Sequence, residues 1–394
     1  MNFVFISPNF PRIYSHFVKA LKDKGIKVFG IGDEPFDCLD NELKWNLTEY
    51  CFVSDLSNLD WMKNAIDYLQ SKYGHLDYIE SNNEFWLMSD AELRKHANVT
   101  TGMWPEDMNH IKFKSEMKEY FVRAGVKVAR YIIVDNLEQT REFVKVVGFP
   151  VFAKPDNGVG AAETFKINND EDLVNFINNH PNEPYIMEEY LDGYIVSFDG
   201  ICDQNSDVVM AVMETFPKPI AEVVKEDSDV WYYAQTKMPS AHMKRGKAVI
   251  KSFGIKQRCF HIEFFVLDKD KEGLGKKGDF IGLEVNMRSP GGNTPNLICI
   301  ALQASYYDIY AKMIADEPYK QSTNNMIAIA VSRKDRFQYT HTHEEIMNRY
   351  GWLIKEYGDY PPAISKVMGN HFYFGEFNNL KDAIAFKDYI EEYK

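Results

Sequence analysis

Apolar residues near the start of the chain fall in two alternating patterns. Residues 3–6 form a short continuous apolar run, and Tyr14, Phe17, Val18 and Leu21 then recur at helical spacing, with Gly25 placed to stop the helix. Residues 27–31 form a second run ended by Gly32; Met62, Ala65, Ile66 and Leu69 form a second helical stripe closed by Gly74, and residues 78–80 a further short strand. Strands alternating with amphipathic helices predict a parallel sheet covered by helices. Ligands bind such sheets beyond the carboxyl ends of the strands, where residues 7–11 and 80–84 lie.

The pattern then changes. Phe113, Met117, Tyr120 and Phe121 share a helix face that stops near Gly125; a strand around 130–134, a helix ending at Gly148 and a strand over 151–154 follow. Residues 185–189, 194–202, 208–215, 258–267 and 280–287 all read as extended, with few helices between them, which predicts an antiparallel α+β region. The Lys- and Gly-rich stretch 268–279 reads as an exposed hairpin loop. From about residue 325 the chain adds two or three strands and a final helix. No internal repeat or low-complexity tract interrupts it.

Composition narrows the function classes. A chain of 394 residues, 45% hydrophobic and 14% aromatic, supports two to four packed modules. The net charge of −13 argues against nucleic acid or an anionic membrane as a bulk partner. Five cysteines, an odd count without a C-x-x-C pair, read as reduced thiols of a cytoplasmic protein. The first residues enter a strand directly, without the basic start and apolar stretch of a signal peptide, and no apolar run is long enough to span a bilayer.

The strongest chemical signal is the strand holding Glu284, Asn286 and Arg288, which point to one face because alternate strand residues do. Carboxylate and amide oxygens are ligands for Mg²⁺, and an Arg beyond them suits a carboxylate or phosphoryl group. Glu263 lies on an earlier strand; if the two strands pair across the 268–279 loop, Glu263 and Glu284 stand side by side, an arrangement that calls for a cation. His261 shares the face of Glu263. A second signal is Lys154 on a strand followed by Gly158 and Gly160, a flexible loop whose backbone N–H groups can approach phosphate; it is neither a Walker loop nor a dinucleotide fingerprint. A third is Glu188, Glu189, Tyr190 and Leu191 at a strand end, and a fourth is Lys114 at the head of a helix. His341 and His343 read as surface residues at a helix start. Trp231, Tyr232 and Tyr233 read chiefly as core, with one open to facing substrate, and Gly291 to Thr294 as backbone able to line an acyl site.

In this order the motifs resemble the ATP-grasp superfamily, in the branch of carbamoyl-phosphate synthase and biotin carboxylase, over roughly residues 1–315. The resemblance implies a Rossmann-like N-terminal parallel-sheet α/β domain (1–105), then an ATP-grasp fold of two antiparallel α+β subdomains (106–190 and 191–320), with a C-terminal α+β segment (321–394). It implies ATP and Mg²⁺ (or Mn²⁺) as cofactors. Lys114, Lys154, Gly158 and Gly160 would meet the phosphates; Glu188, Glu189, Tyr190 and Leu191 would frame adenine, largely through backbone; Glu263, Glu284 and Asn286 would hold the metal; Lys154 and Arg288 would serve catalysis. The activity implied is ligation of a small-molecule carboxylic acid to an amine or other nucleophile such as a thiol, through an acyl phosphate and with release of ADP and phosphate. An amino acid is a natural substrate for it, and a homodimer is open to such a chain. Ile195 stands where many members carry a ribose-binding Glu, so Asp199 or another residue has to take that contact. Two other classes remain: a catalytically silent nucleotide-binding module, which the retained Glu, Asn and Arg argue against, and a Rossmann-type oxidoreductase, which lacks its glycine fingerprint where Ser7, Pro8 and Asn9 stand.

Overall fold

The computed structural model describes residues 1–157 and 163–394. The N-terminal sheet consists of β1 (Asn2–Ile6), β2 (Lys27–Gly32), β3 (Glu49–Phe52) and β4 (Tyr78–Glu80) in the order β3-β2-β1-β4, all parallel. Helices cover both faces. The helix Ser15–Asp23 buries Phe17, Val18 and Leu21, as its spacing predicts, and the helix Leu59–Tyr73 buries Met62, Ile66 and Leu69 before Gly74 ends it at φ +80°. Tyr14 ends a separate short turn rather than joining the first helix, and its hydroxyl donates to the carbonyl of Asn82.

Next come β5 (Lys127–Val128) and a small antiparallel sheet of β6 (Tyr131–Ile133), β7 (Val151–Pro155), β8 (Phe165–Ile167) and β9 (Tyr185–Glu189), ordered β6-β9-β7-β8. The rest builds one large sheet from β10 (Gly193–Cys202), β11 (Val208–Phe216), β12 (Trp231–Gln235), β13 (Arg258–Leu267), β14 (Phe280–Asn286), β15 (Ile327–Arg333), β16 (Ile354–Asp359) and β17 (His371–Phe377), with β5 on one edge: β16-β17-β15-β12-β11-β10-β13-β14-β5. The aromatic run after Val230 is thus itself a strand: Tyr232 is buried with its hydroxyl 2.9 Å from that of Thr294, while Trp231 and Tyr233 are half-buried. The last three strands join the large sheet through β15, which pairs with β12.

Period-two alternation sorts the centre of this sheet into two faces. Val196, Phe198, Ile262, Phe264, Val285 and Met287 pack into one core with the helices Lys114–Arg123 and Ser240–Phe253. The opposite face carries Ser197, Asp199, Glu214, His261, Glu263, Glu284 and Asn286, because residues two apart on a strand share a side. Among the described residues no helix is long and apolar enough to cross a membrane, and all five cysteines are free thiols.

Candidate functional site

A cavity of about 280 Å³ opens between the small sheet and the polar face of the large one. Ala129, Phe152, Leu191, Ile195, Phe265 and Ile281 give it apolar walls, and Lys114, Lys118, Lys154, Glu188, Glu222, Glu263 and Glu284 give it charge. The two opposed carboxylates expected from the sequence face each other in register, Glu263 against Glu284, next to the pair His261 and Asn286. A bulge follows Glu263. Two carboxylates so placed repel one another unless cations stand near. Lys114 Nζ lies 3.3 Å from Glu284 Oε1, and the positive charge of His261, 3.0 Å from Glu263 Oε1, overcomes burial and holds the pKa of Glu263 below the ordinary range.

Lys114 opens its helix, and Asp156 fixes that opening. Its carbonyl accepts from the Lys114 N–H, and its carboxylate accepts from the Ser115 N–H at 2.8 Å and from the Ser115 hydroxyl at 2.7 Å. The segment leaving β7 is thereby tied to the helix carrying Lys114. Gly158 and Gly160 lie outside the described residues.

Glu188 and Glu189 are buried rather than solvated, at 4% and 2% exposure. Glu189 takes a forked contact from Arg130, with Nη2 to Oε2 at 2.6 Å and Nε to Oε1 at 3.1 Å. Glu188 sits between two ammoniums: Lys154 Nζ is 2.6 Å from Oε2, and Lys118 Nζ pairs with Oε1. Burial alone would push the Glu188 pKa up, but the two lysines outweigh it and hold it at about 2. Burial lowers the pKa of Lys118 despite Glu188, whereas Glu188, Glu284 and Glu263 together raise that of Lys154 against the same burial. The side chain of Glu188 therefore belongs to the charge network as well as to the strand end assigned to adenine. Lys118 escaped the sequence reading although it stands one helical turn after Lys114, a spacing that puts both on one helix face.

Arg288 follows β14 outside the cavity lining, with Nη2 3.4 Å from Asn286 Oδ1 and Nη1 donating to the Ser289 carbonyl at 2.9 Å. Its Nε lies 3.6 Å from Oε2 of Glu84, in the segment after β4. Burial raises the pKa of Glu84 further than Arg288 and Lys112 lower it. Asp199 is fully buried, bonded to Ser197 and His261, and does not line the cavity, so it is no replacement for the Glu missing at Ile195. Glu222 does line it and accepts from the Tyr190 hydroxyl. Glu84 lies in the segment 80–84, at the strand end where the sequence places ligands, whereas Glu222 carries no local sequence signal. His343 begins the helix His343–Tyr350, whose cap is Thr342, and His341 pairs with Glu392 on the surface.

No family model matches the sequence. Solved structures do match, over nearly all of the chain. An L-amino acid ligase from Bacillus licheniformis superposes with a TM-score of 0.73 at 14% identity, covering 98% of this chain and 95% of that one. The chain has the ATP-grasp fold. Phosphoribosylglycinamide synthetase from Anaerococcus prevotii matches with a TM-score of 0.67 at 15% identity over 98% of this chain and 96% of its own. The biotin carboxylase domain dimer of Hydrogenobacter thermophilus 2-oxoglutarate carboxylase, in complex with MgADP, ADP and bicarbonate, matches with a TM-score of 0.68 at 16% identity over 99% and 90%. On this ATP-grasp fold, the donor set of Glu263, Glu284 and the amide of Asn286 fits a hard divalent cation. Lys114 and Lys154, at the same cavity, fit the phosphates such a cation accompanies.

Proposed function

We propose that the chain is an ATP-dependent ligase joining a carboxylic acid to an amine (or thiol) through an acyl phosphate, with release of ADP and phosphate. The observation that carries the reading is one cavity in which lysines face an opposed carboxylate pair, with Asn286 and Arg288 continuing the same row. In this reading Glu263, Glu284 and Asn286 hold Mg²⁺ or Mn²⁺, which when bound neutralises charge on the transferring phosphoryl group. Lys114 and Lys154 meet the terminal phosphates. The apolar walls beside Leu191, Ile195 and Phe265 take the base, and Glu222 accepts from the ribose hydroxyls in place of the Glu absent at Ile195.

Arg288 holds the acid, whose carboxylate oxygen attacks the γ-phosphorus as the bond to the β-phosphate oxygen breaks. The nucleophile then attacks the acyl carbon, phosphate departs, and the nucleophile's proton passes to solvent. Glu84, 3.6 Å from Arg288, supports an acid that also bears an ammonium, that is, an amino acid.

The test is a screen of amino-acid pairs with ATP and Mg²⁺, read by phosphate release and by chromatography of the nucleotide. Phosphate and ADP should appear only when acid and amine are both present, and the double variant Glu284→Gln/Asn286→Ala should stop this with its circular dichroism unchanged. AMP with pyrophosphate, or full activity in the double variant, would refute the reading.

A further inference from the structure

The polar face that carries Glu263 and Glu284 continues across the sheet into a second group beneath the cavity. Asp199 on β10, Glu214 on β11 and His261 on β13 are 0%, 0% and 7% exposed, and none of them lines the cavity. One side-chain nitrogen or oxygen from each lies within 4.8 Å of the other two. The outer atoms of two of the three are held. Asp199 Oδ2 accepts from the Ser197 hydroxyl, and His261 Nε2 stands 3.0 Å from Glu263 Oε1, which leaves Asp199 Oδ1 and His261 Nδ1 directed at each other.

Glu214 differs. Among the described residues no donor reaches either of its oxygens, although the side chain is wholly buried. An ionised carboxylate so placed requires a countercharge, since it is buried from bulk solvent and no hydrogen-bond donor among the described residues stabilises it.

We propose that Asp199, Glu214 and His261 form a binding site for a divalent transition-metal ion, with zinc as the best-suited ion, distinct from the magnesium set on Glu263, Glu284 and Asn286. The donor chemistry favours such an ion. Magnesium and calcium take oxygen ligands, whereas one imidazole with two carboxylates suits a borderline cation. Donors at about 2.0–2.2 Å from one ion stand at most about 4.4 Å apart. Ligation therefore replaces the hydrogen bond between Asp199 Oδ1 and His261 Nδ1, opening that pair to admit the ion, while Glu214 reaches the same point by a small rotamer adjustment.

The partners already present complete the arrangement. With Nδ1 on the ion, Nε2 carries the proton and donates it to Glu263, the carboxylate–histidine–metal relay that fixes the tautomer of a ligating imidazole. The ion then acts on the cavity only through that hydrogen bond, by orienting Glu263, and takes no part in group transfer.

Metal content is read on the full chain, without nucleotide, so the outcome is independent of the ligase reading. After loading with Zn²⁺ or Co²⁺ and dialysis against metal-free buffer, wild type is expected to retain about one ion per chain, with visible d–d absorption for Co²⁺. Glu214→Gln should lose it and Glu284→Gln should keep it. Chelation of the wild type should lower its thermal midpoint, and Zn²⁺ but not Mg²⁺ should restore it, a readout that needs no variant to fold. Failure of the wild type to retain either ion, or retention undiminished in Glu214→Gln, would overturn the site and leave protons alone to neutralise the cluster.

Discussion

Replacing Glu188 by Gln is expected to destabilise the unliganded protein by about 3–5 kcal/mol, because it strands two buried ammoniums. The structure supplies an independent route to this magnitude. Glu188 is 4% exposed, and Lys118 and Lys154 hold its pKa at about 2 against an ordinary 4.5. At ~1.36 kcal/mol per pH unit, that gap amounts to roughly 3 kcal/mol. The sign follows from linkage. A carboxylate with a folded pKa below its unfolded one contributes fully above about pH 4.5, and the contribution is lost as pH falls toward 2. For 394 residues unfolding together, 3–5 kcal/mol corresponds to a drop of about 4–6 °C in thermal midpoint near neutral pH. A non-hydrolysable ATP analogue should then raise the midpoint of Glu188→Gln more than that of wild type, since its phosphates supply the negative charge that Lys154 has lost. A variant midpoint within 1 °C of wild type, or equal stabilisation of both proteins by the analogue, would refute the reasoning.

Three further outcomes follow from the same geometry. Arg288→Ala should lower kcat/KM for the acid by about ten- to a hundred-fold, the loss of one charge-assisted contact, and leave ATP affinity nearly intact by calorimetry. Glu222→Ala should weaken ATP binding by up to about ten-fold and deoxy-ATP lacking the ribose hydroxyls by much less, as measured by the same titrations. Burial and the nearby Glu80 carboxylate push the Asp90 pKa up to about 8, so its folded pKa lies above its unfolded one, and stability should fall as pH rises from 4 to 8. Asp90→Asn, which keeps an acceptor for the Ser81 N–H and hydroxyl, should flatten that slope by up to about 1.4 kcal/mol per pH unit in urea titrations across this range.

How much of this was legible in the sequence depended on whether a local period carried it. Glu263, Glu284 and Asn286 could be read because each sits on a strand whose alternate residues are apolar, and because the loop between β13 and β14 announces a hairpin. Glu188 was legible as a strand end, but its burial comes from β9 lying inside the small sheet, between β6 and β7, which no local pattern reveals. The strand β3 was missed because Glu49, Tyr50, Cys51 and Phe52 form a sheet edge with no fully buried residue. Glu214 and Glu222 reach their isolation or their partners only through tertiary packing, so each passes locally for an ordinary surface acid. Arg258 is similar: a basic residue at a strand start that the fold buries completely against Glu80, which in turn lies 3.6 Å from Arg94.

The same alternation explains how a site built of mutually repelling groups keeps its shape. Glu263 and Glu284 gain nothing from each other, and on their face the apolar contact between β13 and β14 is the small cluster around Phe265 and Ile281. The opposite face carries more. Ile262, Phe264, Val285 and Met287 are each 0% exposed in a core shared with Phe121, Phe198 and Phe253. Sliding β14 by one residue would turn Glu284 and Asn286 into that core and Val285 toward the lysines. Such a slip would cost the burial of the apolar side chains, on the order of 1.5–3 kcal/mol each, and the desolvation of a carboxylate as well. Both penalties fall on one movement. The register of the candidate metal ligands is therefore enforced from the apolar side of the sheet, which leaves the polar side free to hold the charged groups of the candidate site.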